Sequence, residues 1–155
     1  MKILQQDRQK NPTILLIEDQ QDDEDLAILA LRSSGINCQL VIARDGSEAL
    51  AYLQHKNVGT QAFIPNLILL DLNLPKINGF QVLEKLRQNQ LTQTVPVVVL
   101  STSLEENDLR KSYRLGANSY IRKPVDYEEF TAILQKTTVY WLQINQTPDI
   151  ANTNG

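Results

Sequence analysis

The chain has 155 residues, 42% of them hydrophobic, a formal net charge of −3 and one cysteine. That length suits one core, the lone Cys38 excludes an internal disulfide or a cysteine-built zinc site, and the charge lacks the basic excess that binding a phosphate backbone requires. No run approaches the roughly 20 apolar residues that cross a bilayer, and the polar opening MKILQQDRQKNP does not read as a secretory signal, so a cytoplasmic protein with a protein partner is expected, rather than one that binds nucleic acid or membrane.

Short β-branched runs alternate with segments of helical period, which implies βαβ units and a parallel sheet. The first run, Thr13 to Asp19, has an apolar core long enough to be buried on both faces. Asp22, Asp23, Glu24 and Asp25 then place negative charge where a helix would begin, ahead of Leu26, Ile28, Leu29 and Leu31, with Gly35 as its stop. Cys38 to Ala43 is the second run; Asp45-Gly46 reads as a turn and Ser47 as the N-cap of a helix carrying Ala49, Leu50, Tyr52 and Leu53. After a loop over 57–65, NLILLD from Asn66 to Asp71 is the third strand. A turn from Pro75 to Gly79 leads into a helix with Phe80, Val82, Leu83 and Leu86 facing inward. Val95 to Ser101 is the fourth strand, followed by a helix from about Glu105 to Leu115 that Gly116 ends with a left-handed cap. Ser119 to Arg122 is the fifth strand, closed by Pro124. The last helix lines Phe130, Ile133, Leu134, Thr137, Trp141 and Ile144 along one side. Residues 1–12 read as a flexible segment, 13–146 as one domain and 147–155 as a disordered tail.

Ligands of an open α/β sheet gather at the carboxyl ends of its strands. The polar residues there are Glu18 and Asp19, Asp71, Ser101 and Lys123. Carboxylates gathered at one edge repel one another unless a cation balances them, and an all-oxygen donor set suits a hard ion such as Mg²⁺. A carboxylate beside such an ion can attack phosphorus while the ion and a lysine share the charge; Asp71 and Lys123 fill those parts, with the Ser101 hydroxyl available to a phosphoryl oxygen. Taken singly, each residue has a plainer explanation. Glu18-Asp19 could cap a helix, Lys123 could be exposed surface, and Ser101 could be structural. Asp71 is more telling, because a carboxylate directly after an apolar strand is costly if buried unpaired.

The joint pattern resembles the receiver domains of two-component systems over Thr13 to about Ile144, in ILLIED, LILLDLNLPKINGF, PVVVLSTS and GANSYIRKP taken in order. Within that family it is most similar to the cyanobacterial phytochrome response regulators, through RDGSEALAYL, PNLILLDLNLPKINGF and the long last helix with VYWLQIN. The resemblance implies a flavodoxin-like (βα)5 fold, a doubly wound five-stranded parallel sheet of order 2-1-3-4-5 with an extended last helix. Asp71 would be the phosphoacceptor. Asp19 would bind the metal directly, Glu18 would reach it through water, and the Asn73 backbone carbonyl would complete the site. Mg²⁺ is the implied ion, with Mn²⁺ or Ca²⁺ able to take its place in crystals. Ser101 would be the switch hydroxyl, Tyr120 the aromatic that follows it inward, and Lys123 the phosphoryl-binding lysine, joined to Pro124 by a cis peptide. Thr102, where a smaller Ala is common, and Gln20, where many relatives carry an acid, depart from the pattern without removing a required group; Asn73 and Ser103 occupy positions that tune loss of the phosphoryl group.

The implied function is a single-domain response regulator with no output domain. It would be phosphorylated by a sensor histidine kinase, of the phytochrome type, and would catalyse only its own Mg²⁺-dependent phosphorylation and dephosphorylation. Output would come from a downstream protein or from self-association. Tyr140, Trp141, Leu142 and Ile144 are apolar on more sides than one face needs, so Tyr140, Trp141 and Ile144 either cover the core or form a dimer or partner face. Three rivals are weaker. A haloacid-dehalogenase-type phosphatase would need an Asp where Asn73 stands, a partner-binding pseudo-receiver would not need the full phosphorylation set, and a flavodoxin-like nucleotide binder would need a glycine-rich loop after the first strand.

Overall fold

The computed structural model describes residues 2–3, 11–54 and 64–148. The flexible segment expected over 1–12, the loop over 57–65 and the tail over 147–155 fall largely outside those residues. In chain order the elements are β1 (Lys2–Ile3), β2 (Thr13–Ile17), α1 (Gln21–Ser33), β3 (Gln39–Ala43), α2 (Gly46–Gln54), β4 (Leu67–Asp71), α3 (Gly79–Gln88), β5 (Val97–Ser101), α4 (Glu106–Arg114), β6 (Ser119–Arg122), α5 (Tyr127–Val139) and a π-helical turn, Tyr140–Ile144.

The five parallel strands lie in the order β3-β2-β4-β5-β6, which is the expected 2-1-3-4-5 arrangement of a doubly wound sheet. Every residue of β3, β4 and β5 is buried, which explains why these strands read as unbroken apolar runs instead of alternating ones. Side chains leave the sheet on alternate faces. Leu15, Ile17, Ile68, Leu70, Val97 and Val99 pack with α2 and α3, while Ile14, Leu16, Leu67, Leu69, Val98 and Leu100 pack with α1 and α5.

One strand was not expected. Lys2–Ile3 pairs antiparallel with β3, and Lys2 Nζ lies 3.7 Å from the buried carboxylate of Glu24, which also receives Arg44 Nε at 3.3 Å. The addition covers an edge that would otherwise offer unpaired backbone groups.

Local chemistry moves several other boundaries. The Asp45 carboxylate accepts from Glu48 N at 2.7 Å, so Asp45, not Ser47, closes the start of α2, and Gly46 already lies within the helix. At α3, Asn78 and Gln81 exchange side-chain-to-backbone bonds at 3.0 Å in a capping box. Gly116 has a φ of 103° and ends α4 as expected. α5 stops at Val139 because the chain widens there: Asn145 N donates to Tyr140 O across five residues at 2.7 Å. That turn carries Ile144 off the inward side to 61% exposure, whereas Phe130 and Leu134 are buried as their spacing requires.

Two close fits hold α3 in place. Arg87 donates to the carbonyls of Gly116 and Val95, each at 2.9 Å, and to Asn118 Oδ1 at 2.8 Å, tying the end of α3 to the turn between α4 and β6. At its other end a Cβ on Gly79 would stand 2.5 Å from Asp71 O and 2.6 Å from the Cα of Leu72, so α3 starts in backbone contact with the end of β4. Since neither backbone can yield without shifting Asp71, Gly79→Ala is expected to destabilise by about 1–3 kcal/mol. Thermal unfolding should read this as a loss of several degrees, and an unchanged midpoint would refute the close fit.

Candidate functional site

The ends of β2, β4 and β5 and the residue after β6 meet at one rim of the sheet. Glu18 follows β2 and its amide continues the ladder, donating to Ala43 O at 3.0 Å. Asp71 is the last residue of β4, and Lys123 is carried to the same rim by its own amide, which donates to Ser101 O at 2.8 Å. Glu18, Asp71 and Lys123 therefore project from positions fixed by sheet hydrogen bonds.

The ammonium of Lys123 donates to Glu18 Oε2 at 2.7 Å and to Asp23 Oδ2 at 2.8 Å, and stands 3.5 Å from Asp71 Oδ2. Its side chain is only 7% exposed, so these are desolvated charges. Burial, joined by the nearby charge of Asp71, pushes the Glu18 carboxyl from 4.5 up to about 8 against the opposing pull of Lys123. For Lys123, burial works to lower the pKa, but Glu18 and Asp71 outweigh it and hold the group above the ordinary lysine range.

Carboxylate oxygens of Glu18, Asp19 and Asp71 all lie within 4.8 Å of one another. Asp19 Oδ1 is buried with no hydrogen-bond partner, and one ammonium faces more acids than it can neutralise. Both observations fit a hard divalent cation bound by oxygen ligands. The three acids named from the sequence are thus brought together, and Lys123 joins them. Asn73 is placed through its backbone, its amide donating to Asp71 Oδ1 at 3.1 Å.

Ser101, fully buried, ends β5 one residue beyond Leu100, the partner of Asp71 across the ladder. Its hydroxyl accepts from Ser103 N at 3.1 Å. Ser103 in turn donates to Asp108 Oδ2 at 2.6 Å and accepts from Glu105 N at 3.1 Å, so the turn after Ser101 is bonded to the start of α4. Tyr120, on β6, is half-buried against the core, with its hydroxyl buried and unpartnered.

One expectation fails. No cis peptide occurs among the described residues, so Lys123-Pro124 is trans. Trans is the lower-energy form even before proline, by about 0.5–1 kcal/mol, and the groups that seat Lys123, its amide and its ammonium, precede that bond.

Tyr140, Trp141 and Ile144 are not part of this rim. Helices α1 and α5 begin at the strand ends that carry Asp71 and run back across the sheet, so the π turn lies at the opposite rim. There Trp141 is half-buried against the core and meets Tyr140 edge to face at 5.0 Å, while Tyr140 and Ile144 are exposed. Asp23, expected as helix-start charge, also reaches Lys123. It sits in the first turn of α1, where side chains lean back toward the N-terminus and hence over the rim. That lean is the signal the sequence offers for it.

The response regulator receiver domain model matches residues 14–135. The chain is 40% identical over 142 residues to the response regulator Rcp1 of Synechocystis sp. (strain ATCC 27184 / PCC 6803 / Kazusa), covering 90% of this chain and 97% of that one. The crystal structure of the phosphorylated cyanobacterial phytochrome response regulator RcpA superposes with a TM-score of 0.83 at 37% identity, over 90% of this chain and all of that one. The Mn²⁺-bound form of Rcp1 gives 0.81 at 39%, over 89% and 99%. With the fold, the acidic rim and its lysine all in agreement, the chain belongs to the response regulator receiver family.

Proposed function

We propose that this protein is a cytoplasmic response regulator in which Asp71 accepts a phosphoryl group from a sensor histidine kinase of the phytochrome type, with Mg²⁺ as the ion and with partner binding or dimerisation as the output. The observation that carries this reading is the Lys123 ammonium held between Glu18 and Asp71 beside the unpartnered oxygen of Asp19. Likeness to RcpA, named as a phosphorylated phytochrome response regulator, supports the pathway, and the Mn²⁺-bound form of Rcp1 supports a divalent ion.

Asp71 forms the bond to phosphorus as the bond from phosphorus to the donor nitrogen breaks, and the nitrogen leaves with a proton. Glu18, Asp19, Asp71 and the Asn73 carbonyl would hold Mg²⁺, which when bound shares the charge on the phosphoryl oxygens. Lys123 contributes a second positive charge, 3.5 Å from Asp71 Oδ2. Turning Ser101 toward the new phosphoryl group gives up its bond from Ser103 N and so disturbs the start of α4, and Tyr120 follows inward. The protein thereby catalyses only its own phosphorylation and dephosphorylation.

Incubation with phosphoramidate and Mg²⁺ is expected to add the mass of one phosphoryl group to the parent and none to Asp71→Asn or to a sample stripped with chelator. An adduct persisting in Asp71→Asn would move the acceptor elsewhere.

The crowded acids make a second prediction. Without divalent ions, Asp71→Asn removes a buried like charge and is expected to stabilise by about 1 kcal/mol, roughly 2–4 °C in a domain of this size. Glu18 has a folded pKa of about 8 against an ordinary 4.5, so its favourable contribution is complete below the lower value and is lost as pH rises through the upper one. Burial of Glu18 persists in the variant, so the gap between variant and parent should widen only as pH approaches about 8, where Glu18 ionises beside Asp71 in the parent; a gap that narrows there contradicts the repulsion.

For the dimer, Ile144 is exposed in the single chain, so Ile144→Asp should leave folding intact while shifting sedimentation from dimer to monomer. Identical sedimentation of variant and parent, phosphorylated or not, rejects this face.

A further inference from the structure

Lys123 is gripped by three carboxylates, but only two of them, Glu18 and Asp71, belong to the trio whose oxygens lie within 4.8 Å of one another. The third, Asp23, donates nothing to that trio. It receives the ammonium at 2.8 Å from the first turn of α1, with its side chain 24% exposed.

We propose that Asp23 is a positioning residue for phosphoryl transfer, anchoring the Lys123 ammonium beside Asp71 when a divalent ion engages Glu18 and Asp71; this rests on the phosphoacceptor reading above. An ammonium carries three diverging N–H donors on a flexible four-carbon stem. Once Glu18 and Asp71 turn toward an ion, the grip from Asp23 is the one among the three described partners that the ion does not weaken. It occupies a single donor, so another stays free for a phosphoryl oxygen on Asp71. Holding the stem in advance removes the cost of ordering a long side chain during the transfer. Asp23 approaches from α1 while Asp71 approaches from β4, so the anchor and the acceptor are carried by separate elements.

The test follows phosphoryl uptake from phosphoramidate by mass in the full chain, for the parent, Asp23→Asn and Asp22→Asn, together with half-saturating Mg²⁺ and the thermal midpoint of each. Asp22 is an exposed neighbour in the same helical turn and controls for loss of helix-start charge. Asp23→Asn is expected to slow uptake about ten-fold, with Mg²⁺ dependence and thermal midpoint unchanged and with Asp22→Asn at the parental rate. Parental uptake by Asp23→Asn overturns the proposal. Equal slowing in Asp22→Asn also overturns it, as does a loss of rate that tracks a fall in Mg²⁺ affinity and stability. A parent that takes up no phosphoryl group ends the phosphoacceptor reading as well, a result distinct from a phosphorylated parent matched by its variant.

Discussion

The rest of the structure depends on a charge imbalance at one rim of the sheet, where Glu18, Asp23 and Asp71 share one ammonium and Asp19 stands beside them. Such a cluster is unfavourable for folding, because desolvation and like-charge repulsion act together and one lysine offsets only part of them. It persists because the groups are attached to sheet positions that cannot retreat. β4 is fully buried and delivers Asp71 whether or not its charge is balanced, and the backbone bond from Lys123 N to Ser101 O does the same for the lysine. The stability of the apolar layers on both faces holds in place an arrangement that would disperse in a looser scaffold.

The neighbouring segments tighten that constraint. α3 begins in backbone contact with the end of β4 because residue 79 lacks a Cβ, and its far end is fastened by Arg87 to the carbonyls of Gly116 and Val95. Asp71 therefore sits on a strand whose outgoing chain is also pinned. The turn after Ser101 is linked to α4 through Ser103 and Asp108, so the site has a mechanical path toward one helix in particular.

Most of this architecture was legible in the sequence, for a reason tied to burial. Strands covered on both faces must be apolar at successive positions, so their ends are marked by the first polar residue, and in Ile17-Glu18, Leu70-Asp71 and Leu100-Ser101 that residue is also the one placed at the acidic rim. What the sequence does not mark depends on groups distant along the chain or on competition within a turn. Asp23 meets Lys123 across 100 positions and Arg87 meets Asn118 across 31, and no periodicity marks either pair. The strand at Lys2–Ile3 is too short to have a pattern. Ser47 looked like a cap because both it and Asp45 have suitable side chains, and the carboxylate won by reaching Glu48 N.

The two rims differ in the kind of surface they present. At the rim of Asp71, exposure is kept low and charge is concentrated, which favours a small, highly charged group in a fixed place. At the other, widening of the last helix into a π turn rotates Ile144 outward and leaves Tyr140 exposed while Trp141 still covers the core. A regular helix continued from α5 would have kept residue 144 on the side of Thr137, seven positions earlier, which is buried. The irregular turn is therefore what converts an inward apolar stripe into an outward one, and it does so at the end of the molecule where a second protein can approach without blocking the acids.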